Sequence, residues 1–135
     1  MITYRKEDQL SPDEFTEVLR SSTLGERRPV NDADRVASMI KNANLIITAR
    51  DSGKLVGIAR SVSDYSYCTY LSDLAVDKDY QRKGIGRELI RLTKEYAPLA
   101  KLILLSAPAA INYYPRIGMK RHEHCYYLDD VEKLK

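Results

Sequence analysis

Gln81-Arg82-Lys83-Gly84-Ile85-Gly86-Arg87 decides how this chain folds. Leu71 to Val76 upstream is a β-rich run, and downstream Ile85, Leu89, Leu92 and Tyr96 mark one face of a helix expected over Gly84 to Ala97. The two glycines therefore stand where a loop becomes a helix. Glycine lets the backbone approach a ligand closely there, and the first-turn amides, unpaired within the helix, point at whatever occupies the turn. The stretch reads as an anion site. Two common nucleotide loops are excluded: there is no Gly-x-x-x-x-Gly-Lys-Ser/Thr, and Leu89 stands where a dinucleotide fingerprint has its third glycine.

Charge concentrates at the same place. The 135 residues carry 22 basic and 19 acidic side chains, a net charge of +3 that is too small to argue for a polyanionic macromolecule. Residues 78 to 94 hold six basic side chains (Lys78, Arg82, Lys83, Arg87, Arg91, Lys94) against Asp79 and Glu88, a local +4, so the rest of the chain is close to neutral. No aromatic-basic interleaving or recognition motif accompanies this helix, so a nucleic-acid partner is not expected.

Outward from this stretch, Lys101 to Ser106 reads as a short strand covered on both faces, completing a strand-helix-strand unit whose strands should lie parallel. Upstream, Leu45 to Ala49 and Leu55 to Val62 flank Asp51-Ser52-Gly53-Lys54, a hairpin turn, and Cys68 to Val76 should return antiparallel beside them. Ile2 to Tyr4 alternates like a strand. Ser11-Pro12-Asp13-Glu14 supplies an N-cap, a first-turn proline and a capping glutamate for a first helix, and Val36, Met39, Ile40 and Ala43 form the buried stripe of a second. Ala109 to Ile117 reads as a short helix and Met119 to Leu128 as a last strand. The expectation is one domain over 1–135, an α/β fold in the order β-α-α-β-β-β-α-β-α-β, with a mixed, mostly antiparallel sheet and helices on both faces.

Two cysteines, Cys68 and Cys125, are too few for a disulfide framework, and Met1 to Glu7 has no secretory pattern, so a cytoplasmic protein is expected. No apolar run approaches the roughly 20 residues of a membrane helix. His122 and His124 would share one face of a strand while Cys125 points to the other, which speaks against a metal site.

Gln81-Arg82-Lys83-Gly84-Ile85-Gly86 resembles the Gln/Arg-x-x-Gly-x-Gly/Ala motif of the GNAT superfamily of N-acetyltransferases. Ala110-Ile111-Asn112-Tyr113-Tyr114-Pro115-Arg116-Ile117-Gly118-Met119 resembles that family's Ala-x-x-Phe-Tyr-x-x-x-Gly-Phe segment. The resemblance runs over essentially the whole chain, in the right element order. It implies acetyl-CoA as co-substrate, a small-molecule or protein amine as acceptor, no metal, and a monomer or homodimer. By the same resemblance, Gln81, Arg82, Lys83, Gly84, Ile85, Gly86 and Arg87 hold the CoA pyrophosphate, chiefly through backbone amides. Leu74, Ala75 and Val76 pair their backbone with pantetheine, their side chains serving mostly as core.

The resemblance also assigns chemistry. Tyr114 matches the catalytic tyrosine, general acid for the departing thiolate; a phenol near pKa 10 and a thiol near 8.5 exchange a proton at modest cost. The competing reading of Tyr114 is a packed aromatic with its hydroxyl satisfied elsewhere. Tyr113 takes the family's phenylalanine position in the core. Asp73 is the first candidate base, beside the acceptor, with an aspartate that faces solvent or pairs with a lysine as the equal alternative. Asp64 is second, and water wires without a protein base are a third possibility. Asn112 is a candidate CoA contact or else a surface polar residue. The loop holding Glu26-Arg27-Arg28-Pro29 often borders the acceptor in this family; its mixed charge names no substrate, and a solvated loop is the alternative reading. Ala107 replaces a frequent asparagine, and Pro115 follows the tyrosine where the commoner pattern has none. These departures keep a second function in view: a GNAT-fold protein that binds acyl-CoA without transferring the acyl group.

Overall fold

The computed structural model describes all residues 1–135 and divides into two compact units, Met1–Leu105 and Ser106–Lys135.

The first unit is a five-stranded sheet in the order β1-β2-β3-β4-β5, built from β1 (Ile2–Lys6), β2 (Leu45–Asp51), β3 (Lys54–Ser63), β4 (Cys68–Val76) and β5 (Lys101–Ile103). The first four strands run antiparallel and β4 pairs with β5 in parallel. The β2–β3 turn forms where Ser52 and Gly53 take φ of 49° and 91°, the paired positive values that suit the twist of a tight hairpin. Three helices, α1 (Pro12–Ser21), α2 (Ala33–Asn42) and α3 (Ile85–Tyr96), flank the sheet. The Ser11 hydroxyl caps α1 by accepting from the Glu14 amide at 3.4 Å, and the Asp32 carboxylate caps α2 through the Arg35 amide at 3.1 Å.

Each face of the sheet carries its own core. Phe15, Val18 and Leu19 of α1 and Val36 and Ile40 of α2 pack on Ile46, Leu55, Ile58 and Ala75. On the other face Ile85 and Leu89 of α3 pack on Leu45, Ile47, Ala49, Val56, Ala59 and Leu71. Gly57 sets how closely α3 approaches: a Cβ there would stand 3.1 Å from Ile85 Cγ2 and 3.2 Å from Leu89 Cδ1, so any side chain would make these two groups give way by a few tenths of an ångström.

Two register shifts shape the sheet. One lies between Ala49 and Arg50. The other lies where β3 shifts between Arg60 and Ser61 opposite Asp73 and Leu71, which leaves Ser72 as an extra residue on β4. The bulge changes which residues share a face, so Leu71 belongs to the α3 core and Ala75 to the α1/α2 core.

The second unit has two 3-10 turns, Pro108–Ala110 and Val131–Lys133, and a four-residue helix α4 (Tyr113–Arg116). Two expectations need correction. The strand expected over Met119 to Leu128 does not form. Five polar residues in a row, Lys120 to His124, give no alternation to bury, and the His124 amide instead donates to His122 Nδ1 at 3.0 Å in a turn. Likewise β5 is not covered on both faces: it is three residues long, Ile103 is 47% exposed, and it forms the edge of the sheet. No helix is long and apolar enough to cross a membrane.

Candidate active site

β4 and β5 stay together for only three residues. Their pairing covers Cys68 to Tyr70 against Lys101 to Ile103, whereas β3 follows β4 to its end at Val76. From Leu71 onward the outer edge of β4 has no strand beside it. The Asp77 amide donates to the Val56 carbonyl at 2.8 Å, so residue 77 turns its backbone toward β3. Alternation then directs Asp73 and Ala75 the same way and points the backbone groups of Leu74 and Val76 into the opening. The Val76 carbonyl is taken by Gln81 Nε2 at 2.9 Å, which ties the loop to the end of β4, while the N–H and C=O of Leu74 remain available. Of the three side chains, Ala75 is buried and Leu74 and Val76 half-buried in the core, as expected.

The loop after β4 is built around its own anchors. Asp77 caps a short 3-10 turn, Lys78–Tyr80, by accepting from the Asp79 amide at 2.9 Å. The Tyr80 hydroxyl donates to Asp51 Oδ2 at 2.7 Å, pinning the loop to the β2–β3 turn, and this bond lowers the Asp51 pKa and raises that of Tyr80. Lys83 Nζ lies 5.3 Å from the centre of the Tyr80 ring. Arg82 and Gly84 take positive φ of 62° and 80°, and Gly84 begins α3 without a side-chain cap. The amides of Gly84, Ile85, Gly86 and Arg87 donate to no backbone or side-chain acceptor. They converge with the positive end of a 12-residue helix.

Basic side chains at this turn divide into two groups. Arg91 is paired with Glu88 and with Glu95, and Lys94 donates to the carbonyls of Pro98 and Ala100 at 3.1 and 2.6 Å. Arg82, Lys83 and Arg87 form no ion pair and are exposed to solvent. Ile85 is different: its side chain is 3% exposed and belongs to the core, so only its amide faces a ligand.

Asp73 lies in a setting that sequence reasoning missed. It is fully buried, one carboxylate oxygen accepting from Arg28 Nε and the other from Arg60 Nε. Arg60 also donates to the Met39 carbonyl at 3.1 Å and the Ser72 hydroxyl at 3.0 Å, and its guanidinium lies 5.9 Å from the centre of the Phe15 ring. Arg28 reaches the carbonyls of Ser72 at 2.8 Å and of Arg27 at 2.9 Å. The sequence offered solvent or a lysine as the alternatives to a base; Asp73 is instead paired with two arginines. Each of its oxygens is held by a guanidinium, and none of the carboxylate is exposed to solvent. One signal pointed here: an arginine inside the mostly apolar run Leu55 to Val62 must find a counter-charge.

Asp64 is equally committed. Its Oδ1 accepts from the amides of Ser66, Tyr67 and Cys68 at 2.9, 2.7 and 3.0 Å, closing the β3–β4 turn. Those backbone bonds, Tyr67's first, hold its pKa at about 2.

Asn112 and Tyr114 belong to the second unit. Tyr114 sits in α4, its ring edge-on to Tyr113 with centroids 5.2 Å apart, and its carbonyl accepts from the amides of Ile117 and Met119 at 3.2 and 3.0 Å. The Tyr114 hydroxyl has no protein hydrogen-bond partner, and burial, then the neighbouring Tyr113, raises its pKa above the usual 10.0. Asn112 is exposed, and its carbonyl accepts from Arg116 Nε at 3.2 Å. No group of three or more His, Cys, Asp or Glu is placed to hold a metal ion.

An open mixed sheet whose parallel strands part beside an uncapped, glycine-led helix defines the class of α/β fold to which this chain belongs. The family model described as "Acetyltransferase (GNAT) family" matches residues 10–119, and this chain belongs to that family. An N-acetyltransferase of Pyropia yezoensis, itself described as uncharacterized (ycf52), is 28% identical over 100 residues, 68% of this chain and 55% of its own length. Histone acetyltransferase TAP1 of Glycine max is 23% identical over 70% of this chain and 46% of its own. The chain thus spans about half the length of the curated relatives it matches. Among solved structures, the GNAT family acetyltransferase SP0256 of Streptococcus pneumoniae TIGR4 superposes with a TM-score of 0.80 at 20% identity, covering 97% of this chain and 98% of the other. Aminoglycoside N-acetyltransferase AAC(6')-Iy, solved in complex with CoA, gives 0.73 at 11% identity over 97% and 95%. At these identities the two structures speak for the fold.

Proposed function

We propose that the protein transfers an acetyl group from acetyl-CoA to a primary amine within a ternary complex. The observation that carries this reading is the pairing of two unsatisfied backbone surfaces, the open edge of β4 at Leu74 and the free amides of Gly84 to Arg87. Pantetheine, a chain of amides, has the donors and acceptors to pair with Leu74, Ala75 and Val76 as a strand would. The pyrophosphate binds the amides at the start of α3, supplemented by Arg82, Lys83 and Arg87. Gln81 holds the loop against β4, and Ile85 anchors it to the core.

In the reaction the amine nitrogen forms a bond to the thioester carbon, the carbon–sulfur bond breaks, and the thiolate takes a proton from the Tyr114 hydroxyl. The proton lost by the amine goes to water, and the Tyr114 phenolate regains one from water, which restores the hydroxyl. Asp73, enclosed by two arginines, does not serve as the base in this reading; it holds Arg28 and Arg60 in place. Asn112, exposed beside Tyr114, is assigned to the CoA-contacting edge of α4.

Incubation with acetyl-CoA and a panel of amines, read as free thiol, tests the proposal. The expected result is thiol release that depends on an amine and falls at least about a hundredfold in Tyr114→Phe, the usual scale for a general acid, with CoA binding retained. Ala107 and Pro115 favour a second reading, acyl-CoA binding without transfer. Tight CoA binding with no thiol release across the panel would establish that reading in place of the first.

A further inference from the structure

The Arg28–Asp73–Arg60 cluster does not balance. One carboxylate, fully buried, faces two guanidiniums whose side chains are 22% (Arg28) and 9% (Arg60) exposed, so a largely enclosed site carries one excess positive charge. A charge withdrawn from water is retained at high cost unless a partner completes it. Arg60 is closed off by the Phe15 ring, the Met39 carbonyl and the Ser72 hydroxyl, so an incoming anion reaches the cluster only through Arg28. Arg28 has donors to spare: three of the five N–H groups of its guanidinium are used, by Asp73, Ser72 and Arg27. Glu26, on the same loop, is exposed and forms no ion pair with it.

The position of Arg28 matters as much as its charge. Its bond to the Ser72 carbonyl places it at the β4 bulge, two residues before Leu74, about 7 Å along the strand at roughly 3.3 Å per residue. The open edge where the acyl arm is proposed to lie begins next to it. We propose that Arg28 is the specificity residue of the acceptor site, binding the carboxylate of an amino acid whose amine accepts the acetyl group, with Asp73 and Arg60 as positioning residues. A single excess charge matches one carboxylate, and a planar guanidinium matches its geometry. This inference rests on the acetyl-transfer reading above.

The test compares an amino acid with its own carboxamide, which keeps the amine and removes the negative charge. With wild-type protein the acid should exceed the amide in kcat/KM by about tenfold or more, the scale of a hydrogen bond to a charged group, and the difference should lie mainly in KM. Arg28→Gln should bring the ratio close to one, Arg28→Lys should keep part of it, and Arg35→Gln, which removes an exposed charge on α2, should leave it unchanged. Equilibrium titration of CoA-loaded protein with the same pair separates binding from chemistry. Tighter binding of the acid without thiol release would overturn acetyl transfer and uphold the anion site. Equal turnover of acid and amide, or no binding of either, would overturn the anion site.

Discussion

Asp73 shows how one residue couples stability to site geometry. Asp73→Asn would leave Arg28 and Arg60 facing each other without the charge that holds them, and breaking a buried ion pair in this way costs about 3–5 kcal/mol. Chemical denaturation should show a loss of that size, with the midpoint falling and the slope unchanged. Tyr114 makes a different prediction. Because burial raises its pKa above 10.0, it remains protonated across the working range, so an acid role causes no loss of rate on the alkaline side below pH 10. The rate should instead rise with pH as the acceptor amine loses its proton, and Tyr114→Phe should lower the curve without moving its rising limb. A pH-rate profile of kcat/KM reads both features.

Among elements, α3 depends on a residue outside itself. Gly57→Val would put a Cβ 3.1 Å from Ile85 Cγ2 and 3.2 Å from Leu89 Cδ1 and add two methyl groups beyond it, displacing the first turn of the helix. CoA affinity should fall more than it does for Leu99→Ala, an exposed change after the same helix, and calorimetric titration of the two variants measures the difference.

The elements also show which parts of the structure were legible beforehand. Ser11-Pro12 before α1, Asp51 to Lys54 between β2 and β3, and the glycines before α3 declared themselves because caps and turns are satisfied within a few residues. Residues 119 to 128 and β5 misled because a strand is fixed by its partner, and an apolar run does not say whether one will be there. At the site, the backbone cradle was readable from glycine placement. The Asp73 clamp was not, since Arg28 lies 45 residues away in the chain and Arg60 lies 13 residues away.

At the scale of the whole chain, acid tolerance should centre on a second charged cluster. Burial pushes the Glu7 carboxyl up, but hydrogen bonds from Arg50, Thr48 and Arg5 and the Arg50 charge outweigh it and hold its pKa at about 2 against an ordinary 4.5. Arg50 bonds Glu7 at 2.8 and 3.0 Å, Glu14 at 2.6 Å and the Gly53 carbonyl at 2.8 Å, joining the residue after β1, α1 and the β2–β3 turn. A carboxylate with a depressed folded pKa stabilises fully above its unfolded value and loses that contribution as pH falls toward the folded one. Stability should therefore decline from about pH 4.5 toward 2, and Glu7→Gln should flatten this slope while lowering stability at neutral pH. Thermal unfolding across that pH window provides the measurement.

The parting of β4 from β5 has a consequence for how the protein breathes. Most sheets expose unpaired backbone along a whole outer margin, where any passing chain can dock; here β5 covers the margin of β4 as far as Tyr70 and leaves it bare beyond. A ligand that pairs with the bare stretch completes that margin, so the proposed co-substrate would be a temporary sixth strand as much as a reagent. The Leu74 amide should exchange its hydrogen slowly only while that guest is present, and the unfolding free energy should rise with it by about 2.7 kcal/mol at a hundred times the dissociation constant.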